Sequence, residues 1–211
     1  FFVEEMLKAI PSSATASRIL SLGGAAIDDL ALPSSVREAV LARLDAVDDV
    51  ARNRGTVAVG VSADTAEFAV DTLEQWLRHE GRAAYPNADH MLVLADGGGS
   101  NGHRSRLFKS SIQRLADRND MSVTVCHYPT GASKWNPVEH RLLSYISINW
   151  AGKPLRSLGT MLGYIRGTTT RTGLRVRAWC NRKTYATKVA VTDARMESLC
   201  LQRLPVCPKW N

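Results

Sequence analysis

The chain has 211 residues, 45% of them hydrophobic and 22% charged, a globular mix that excludes wholesale disorder. Its length suits one domain, or one domain with an appendage, and no apolar run approaches the ~18 residues of a membrane-spanning helix. Of the net charge of +7, residues 1–50 carry −4 (four basic and eight acidic side chains), which leaves +11 for residues 51–211.

The asymmetry sharpens between His140 and Thr192, where ten Lys and Arg residues occur with no Asp or Glu. Concentrated cations attract polyanions, nucleic acid first among them. A basic solvated face that only aids solubility is the competing reading. The opening FFVEEMLKAIPSS carries acids where a signal peptide needs basic residues, so export is not expected. The four cysteines include no CxxC pair and read as reduced thiols.

Residues 1–48 read as a helical, acidic segment. Ser35 precedes apolar residues at Val36, Val40, Leu41, Leu44 and Val47, which is helical spacing. TVAVGV (56–61) is a β-branched run and predicts a strand. Asp64 and Glu67 then form a capping-box pattern, with Asp64 as the cap. Ala66, Ala69, Val70, Leu73, Trp76 and Leu77 make one helical stripe, which Gly81 is expected to end.

MLVLA (91–95) is unbroken in its hydrophobicity and predicts a strand covered on both faces. It runs into DGGGSNG (96–102). A helix is expected from about Arg104 to Arg118, with Phe108, Ile112, Leu115 and Ala116 inward. A strand follows at SVTVCH (122–127), and a helix begins near Pro137 and continues to Trp150. The alternation of strand and helix predicts an α/β layer with parallel pairing. Beyond it come a helix at 155–167, a basic strand at 174–178 and a short helix at 193–201.

Two carboxylates stand out by position. Asp96 follows the most apolar strand, and in open α/β sheets ligands gather at the carboxyl ends of strands. Glu139 lies in the first turn of a later helix, beside Leu142, Leu143 and Ile146 of its packed face. Two convergent carboxylates suit a hard divalent cation, and a pair of such ions can clamp a phosphoryl displacement. Capping and helix-dipole roles for the same residues are the plainer alternative. The glycines after Asp96 lack both GxGxxG spacing and the Lys-Ser/Thr of a P-loop. The histidines and Cys126 lack zinc-ligand spacing.

From about Asp49 onward the chain resembles the ISAzo13-type DDE transposases of bacterial insertion sequences. The resemblance rests on DVARNRG (49–55), DTAEFAV (64–70), LADGGGSNGHRSRL (94–107), VCHYPTGASKWNPVEHRL (125–142), SINWAGKPL (147–155) and TTTRTGL (168–174). It implies an RNase H-like mixed α/β sheet flanked by helices. In such cores two Asp and one Glu hold two Mg²⁺ (or Mn²⁺) ions. Asp96 corresponds to the second Asp and Glu139 to the Glu, with Asn136 in the NxxE pattern around it. Asn101, Arg104, Lys134, Trp135 and Asn136 fall within the matching motifs, which implies that they contact DNA or shape the site. Arg141, Lys153, Arg171, Arg175 and Arg177 of the basic region are expected to meet DNA phosphates. The resemblance further implies transposon ends and target DNA as partners, assembly as a homodimer, no membrane, and a bacterial cytoplasmic, nucleoid-associated setting.

One departure accompanies the match. The family places its first catalytic Asp in a strand upstream of ARNRG, and residues 1–48 show no such segment. Asp28, Asp29, Asp45, Asp48 and Asp49 are available, but none follows an apolar strand-like run. The expected organisation is therefore a non-matching segment (1–48), an RNase H-like core lacking its first strands (49–154) and a basic C-terminal extension (155–211). The function expected is that of a DDE transposase in partial or inactive form. A non-catalytic DNA-binding remnant and a metal-dependent nuclease unrelated to transposition remain the alternatives.

Overall fold

The β-branched run after Asn53 forms the middle strand of a three-stranded sheet. In a computed structural model, residues 43–49, 53–95, 99–128 and 138–203 are described, with 43–49 and Glu139 described as backbone. Strand β1 (Arg43–Asp49) pairs antiparallel with β2 (Arg54–Gly60), from Arg43↔Gly60 to Asp49↔Arg54. Asn53 takes φ 52° just before β2, a left-handed turn conformation that Asn tolerates better than most residues. Strand β5 (Arg175–Asn181) pairs parallel with the other edge of β2, from Arg54↔Arg175 to Gly60↔Asn181, which gives the order β1-β2-β5.

Strand β1 corrects the expectation of a helix over 36–47 at its C-terminal end. The apolar spacing there fits a helix locally, but seven residues pair in register with β2, and that pairing overrides a weak local preference. The rest of the segment expected to be helical, residues 1–42, lies outside the described residues.

Helix α1 (Ala66–Trp76) begins one residue later than expected. Thr65, not Asp64, is its cap, accepting from the Phe68 N–H at 3.2 Å. Gly81 does not end the helical path: a π turn (Leu77–Gly81) leads into one more helical turn, Arg82–Ala84. Strand β3 (His90–Ala95) follows and pairs parallel with β4 (Ser122–His127), forming a second sheet. Between them runs helix α2 (Arg106–Asn119), capped by Ser105.

Helix α1 serves both sheets. Its Ala66, Val70 and Leu73 pack with Met91, Val93 and Ala95 of β3 and with Phe108, Ile112 and Leu115 of α2. Its Phe68 packs instead on Ala58 of β2 and Tyr185. The predicted stripe is buried except at Trp76, which is half-buried.

Two expectations are revised here. Strand β3 is covered on one face only: Met91, Val93 and Ala95 are buried, while Leu92 and Leu94 are 60% and 36% exposed. Both α1 and α2 lie on the same side of the β3-β4 pair, so the unbroken apolar run does not mean two covered faces. The strands expected to share one parallel layer are also divided, because β2 finds its parallel partner in β5 rather than in β3.

The opposite face of the three-stranded sheet is covered by a π turn (Glu139–Leu143), α3 (Ser144–Trp150) and α4 (Leu158–Arg166). Val57, Val59, Val176 and Ala178 pack there with Leu142, Ile146, Trp150, Met161 and Ile165. Gly55 allows this closeness, since a Cβ at that position would stand 2.5 Å from Leu142 Cδ1. A last short helix, α5 (Asp193–Glu197), is tied to the start of α2 by the Arg106–Asp193 ion pair.

The stretch expected as a C-terminal extension contributes β5 to the sheet and packs α4 into its core. Among the described residues, no helix is long and apolar enough to cross a membrane.

Candidate active site

The carboxyl ends of β3 and β4 lie side by side, since Ala95 and His127 are register partners and the Tyr128 N–H donates to the Ala95 carbonyl oxygen at 2.8 Å. The chain leaves β3 into Asp96, which lies outside the described residues together with Gly97 and Gly98. It is described again at a 3₁₀ turn, Gly99–Asn101. This turn is anchored twice. His127 Nε2 lies 2.9 Å from the Asn101 carbonyl oxygen, and Ser100 Oγ donates to Asp64 Oδ1 at 3.3 Å.

The second anchor orients the whole fold. Asp64 follows the carboxyl end of β2, so the ends of β2 and β3 lie at the same rim. At the opposite rim, Arg82 donates to the carbonyl oxygens of Ala88 and Asn119, just ahead of β3 and β4.

Asn101 is 1% exposed, and among the described residues neither Oδ1 nor Nδ2 has a hydrogen-bond partner. An unmet buried carboxamide costs about 1–3 kcal/mol, and such groups in folded proteins call for a reason beyond packing. Its burial puts Asn101 behind the turn rather than on the surface that a DNA contact would use. Arg104, three residues on, is exposed at the same rim.

Glu139 opens the π turn, and its predicted neighbours Leu142, Leu143 and Ile146 are all buried. π turns interrupt α-helices, frequently at functional sites. The Glu139 side chain lies outside the described residues, as do Lys134, Trp135 and Asn136. Among the described residues, no three His, Cys, Asp or Glu side chains are grouped to hold a metal.

The predicted basic contacts are dispersed. Arg141, Lys153 and Arg171 are exposed. Lys153 also donates to the Asn149 carbonyl oxygen and sits 4.8 Å from the Tyr164 ring centroid. Arg175 and Arg177 stand on the α1 side of β5, Arg177 Nη1 lying 3.4 Å from Glu80 Oε1. Sequence reasoning missed Glu80, whose side chain is only 9% exposed and also accepts from Thr56 Oγ1 at 2.9 Å. It also missed the Asp71–Tyr185 pair. Burial raises the Tyr185 phenol above its usual range, and donation to Asp71 adds to the effect.

The model of the Rhodopirellula transposase DDE domain family matches residues 41–211. The chain belongs to this family. It is an ISAzo13-type DDE transposase, represented by its C-terminal part. The match begins within the segment expected not to resemble the family, close to the start of β1. No curated protein and no solved structure matches the chain. Membership in a transposase family implies DNA as the substrate, and the family generally uses divalent metal ions.

Proposed function

We propose that this chain forms part of an RNase H-like transposase core, in which Asp96 and Glu139 hold the divalent ions that drive phosphodiester cleavage and strand transfer. The observation that carries this reading is the family match across 41–211 together with the position of Asp96, next after Ala95 at the carboxyl rim of β3. Carboxylate oxygens suit Mg²⁺ or Mn²⁺. The unmet carboxamide of Asn101 behind the same loop fits a site that is completed by groups other than those described. When bound, the ions would activate a water or 3′-hydroxyl and stabilise the leaving oxygen. The chain's own part is to fix the loop after β3 through the His127–Asn101 and Ser100–Asp64 bonds, and to draw DNA in with its basic surface.

The sheet supports a partial core. Among the described residues, β1 and β3 each have one sheet neighbour, and α1 packs on both sheets. A single strand between β1 and β3 would join the two into one mixed sheet. A strand at that place, ending at the same rim as β3, could bring the third carboxylate. Residues 1–48 show no strand-like run ahead of an Asp in their sequence, so the chain is expected to show little or no strand transfer by itself. Lys134, Trp135, Asn136, Arg104 and Arg141 remain proposed DNA contacts, and pairing of two copies on paired DNA ends remains a proposal.

The test is Mn²⁺ binding followed by electron paramagnetic resonance, with a nicking and strand-transfer assay beside it. Weak Mn²⁺ binding lost in both Asp96→Asn and Glu139→Gln is the expected result. Binding indifferent to both substitutions overturns the site. Robust turnover abolished by Glu139→Gln overturns the partial-core reading. A second reading, a DNA-binding remnant without catalysis, draws on the exposed arginines of β5. It predicts DNA binding that persists in EDTA and survives Asp96→Asn.

A further inference from the structure

Three arginines share one face of the three-stranded sheet, at the rim remote from the carboxyl end of β3. The parallel register sets Arg54 beside Arg175 and Thr56 beside Arg177. Thr56 and Ala58 face α1, since Thr56 bonds Glu80 and Ala58 packs on Phe68. Arg54 therefore faces the same way by the two-residue repeat of a strand. Arg175 and Arg177 do so too, because Trp179 of β5 packs on that side. Neighbouring strands are ~4.8 Å apart and alternate residues ~6.6 Å apart along a strand, so the three side chains leave the sheet close together on one face.

Among the described side chains the cluster is short of anions. Glu80 is engaged with Thr56 and Arg177. Among the described residues neither Arg54 nor Arg175 has an ion-pair partner, and the one acidic residue paired with them in backbone register is Asp49. Arg171 adds a fourth charge on the turn before β5. That turn is locked to the tip of the β1-β2 hairpin, where Asn53 Nδ2 donates to the Thr172 carbonyl oxygen at 2.8 Å and the Arg175 N–H donates to the Asn53 carbonyl oxygen. Six residue steps of β2 separate this rim from the other, about 20 Å.

We propose that Arg54, Arg171 and Arg175 form a second phosphate-backbone site for DNA, separate from the metal rim. The inference rests on the transposase reading for its choice of partner. The site reads no sequence, because backbone contacts position a duplex without specifying it. It holds a stretch of DNA beyond the one being cut.

The experiment measures duplex binding by the full chain across a salt series in EDTA, for wild type and for R54A/R171A/R175A. Each phosphate contact contributes about 0.9 to the slope of log K against log salt, so losing three lowers it by about 2.7. That corresponds to about a 40-fold smaller change in affinity between about 50 and 200 mM salt. If alanine disturbs the fold, as judged by the thermal midpoint, R54Q/R171Q/R175Q carries the same expectation. An unchanged slope, with wild type binding DNA, overturns the second site alone. If wild type binds no DNA at low salt, the transposase reading falls with it. A triple variant that keeps DNA but loses polyglutamate assigns the cluster to an acidic protein segment and overturns the proposal.

Discussion

Tyr185 Oη donates to Asp71 Oδ2 at 2.9 Å and accepts from Asn181 Nδ2 at 2.8 Å. Lys183 Nζ reaches the same Asp71 oxygen at 2.6 Å. Together these bonds tie the residues after β5 to the middle of α1. Tyr185→Phe removes a bond to a charged acceptor and leaves the Asn181 amide short of a partner. A loss of about 1–3 kcal/mol in chemical denaturation is expected.

The same phenol predicts a pH effect. Folding favours its protonated form, and an unfolded tyrosine ionises near 10. The Tyr185 contribution is therefore complete below about pH 10 and is lost as pH rises toward its higher folded value. Wild type should lose stability above about pH 10 more steeply than Tyr185→Phe. Parallel curves for the two proteins would contradict this.

Gly55 and Leu142 should prove coupled. Gly55→Ala forces Leu142 aside and is expected to cost about 1–3 kcal/mol. Leu142→Ala, at a fully buried side chain, is expected to cost about 2–5 kcal/mol. In the double variant the new methyl group enters the space that Leu142 vacates. The combined loss should fall short of the sum by at least about 0.5 kcal/mol in a double-mutant cycle.

Adjacent residues of β3 should respond oppositely to polarity. Leu92 is 60% exposed and Val93 is fully buried. Leu92→Thr should change stability by less than about 0.5 kcal/mol. Val93→Thr buries a hydroxyl against α1 and α2 and should cost about 1–3 kcal/mol.

Glu80→Gln tests the balance of charge around the arginines. Glutamine keeps an acceptor for Thr56, and the exposed Arg177 makes the lost ion pair worth no more than about 1 kcal/mol. Stability should barely move. DNA affinity should rise at about 50 mM salt, and the gain should fade by about 200 mM.

Much of this fold was legible because its helices are amphipathic. Phe108, Ile112 and Leu115 announced α2, and all three are buried. Leu142, Leu143 and Ile146 announced the packed face beside Glu139. The strands were harder. β1 carries apolar residues at a spacing that suits a helix, and only its partner β2 decides the matter. The pairing of β2 with β5, more than a hundred residues apart in the chain, leaves no local trace.

The motif after β3 pointed to Asp96, because a carboxylate and three glycines following an apolar run is a local pattern. The arginine cluster could not be found in that way. Arg54 and Arg175 become neighbours only once the parallel register is known.

Helix α1 has one further consequence. Because it touches the cores of both sheets, neither half can open without disturbing it. Heat or denaturant should melt the two halves as a single cooperative unit, and the α1 amides should be among the slowest to exchange with deuterium.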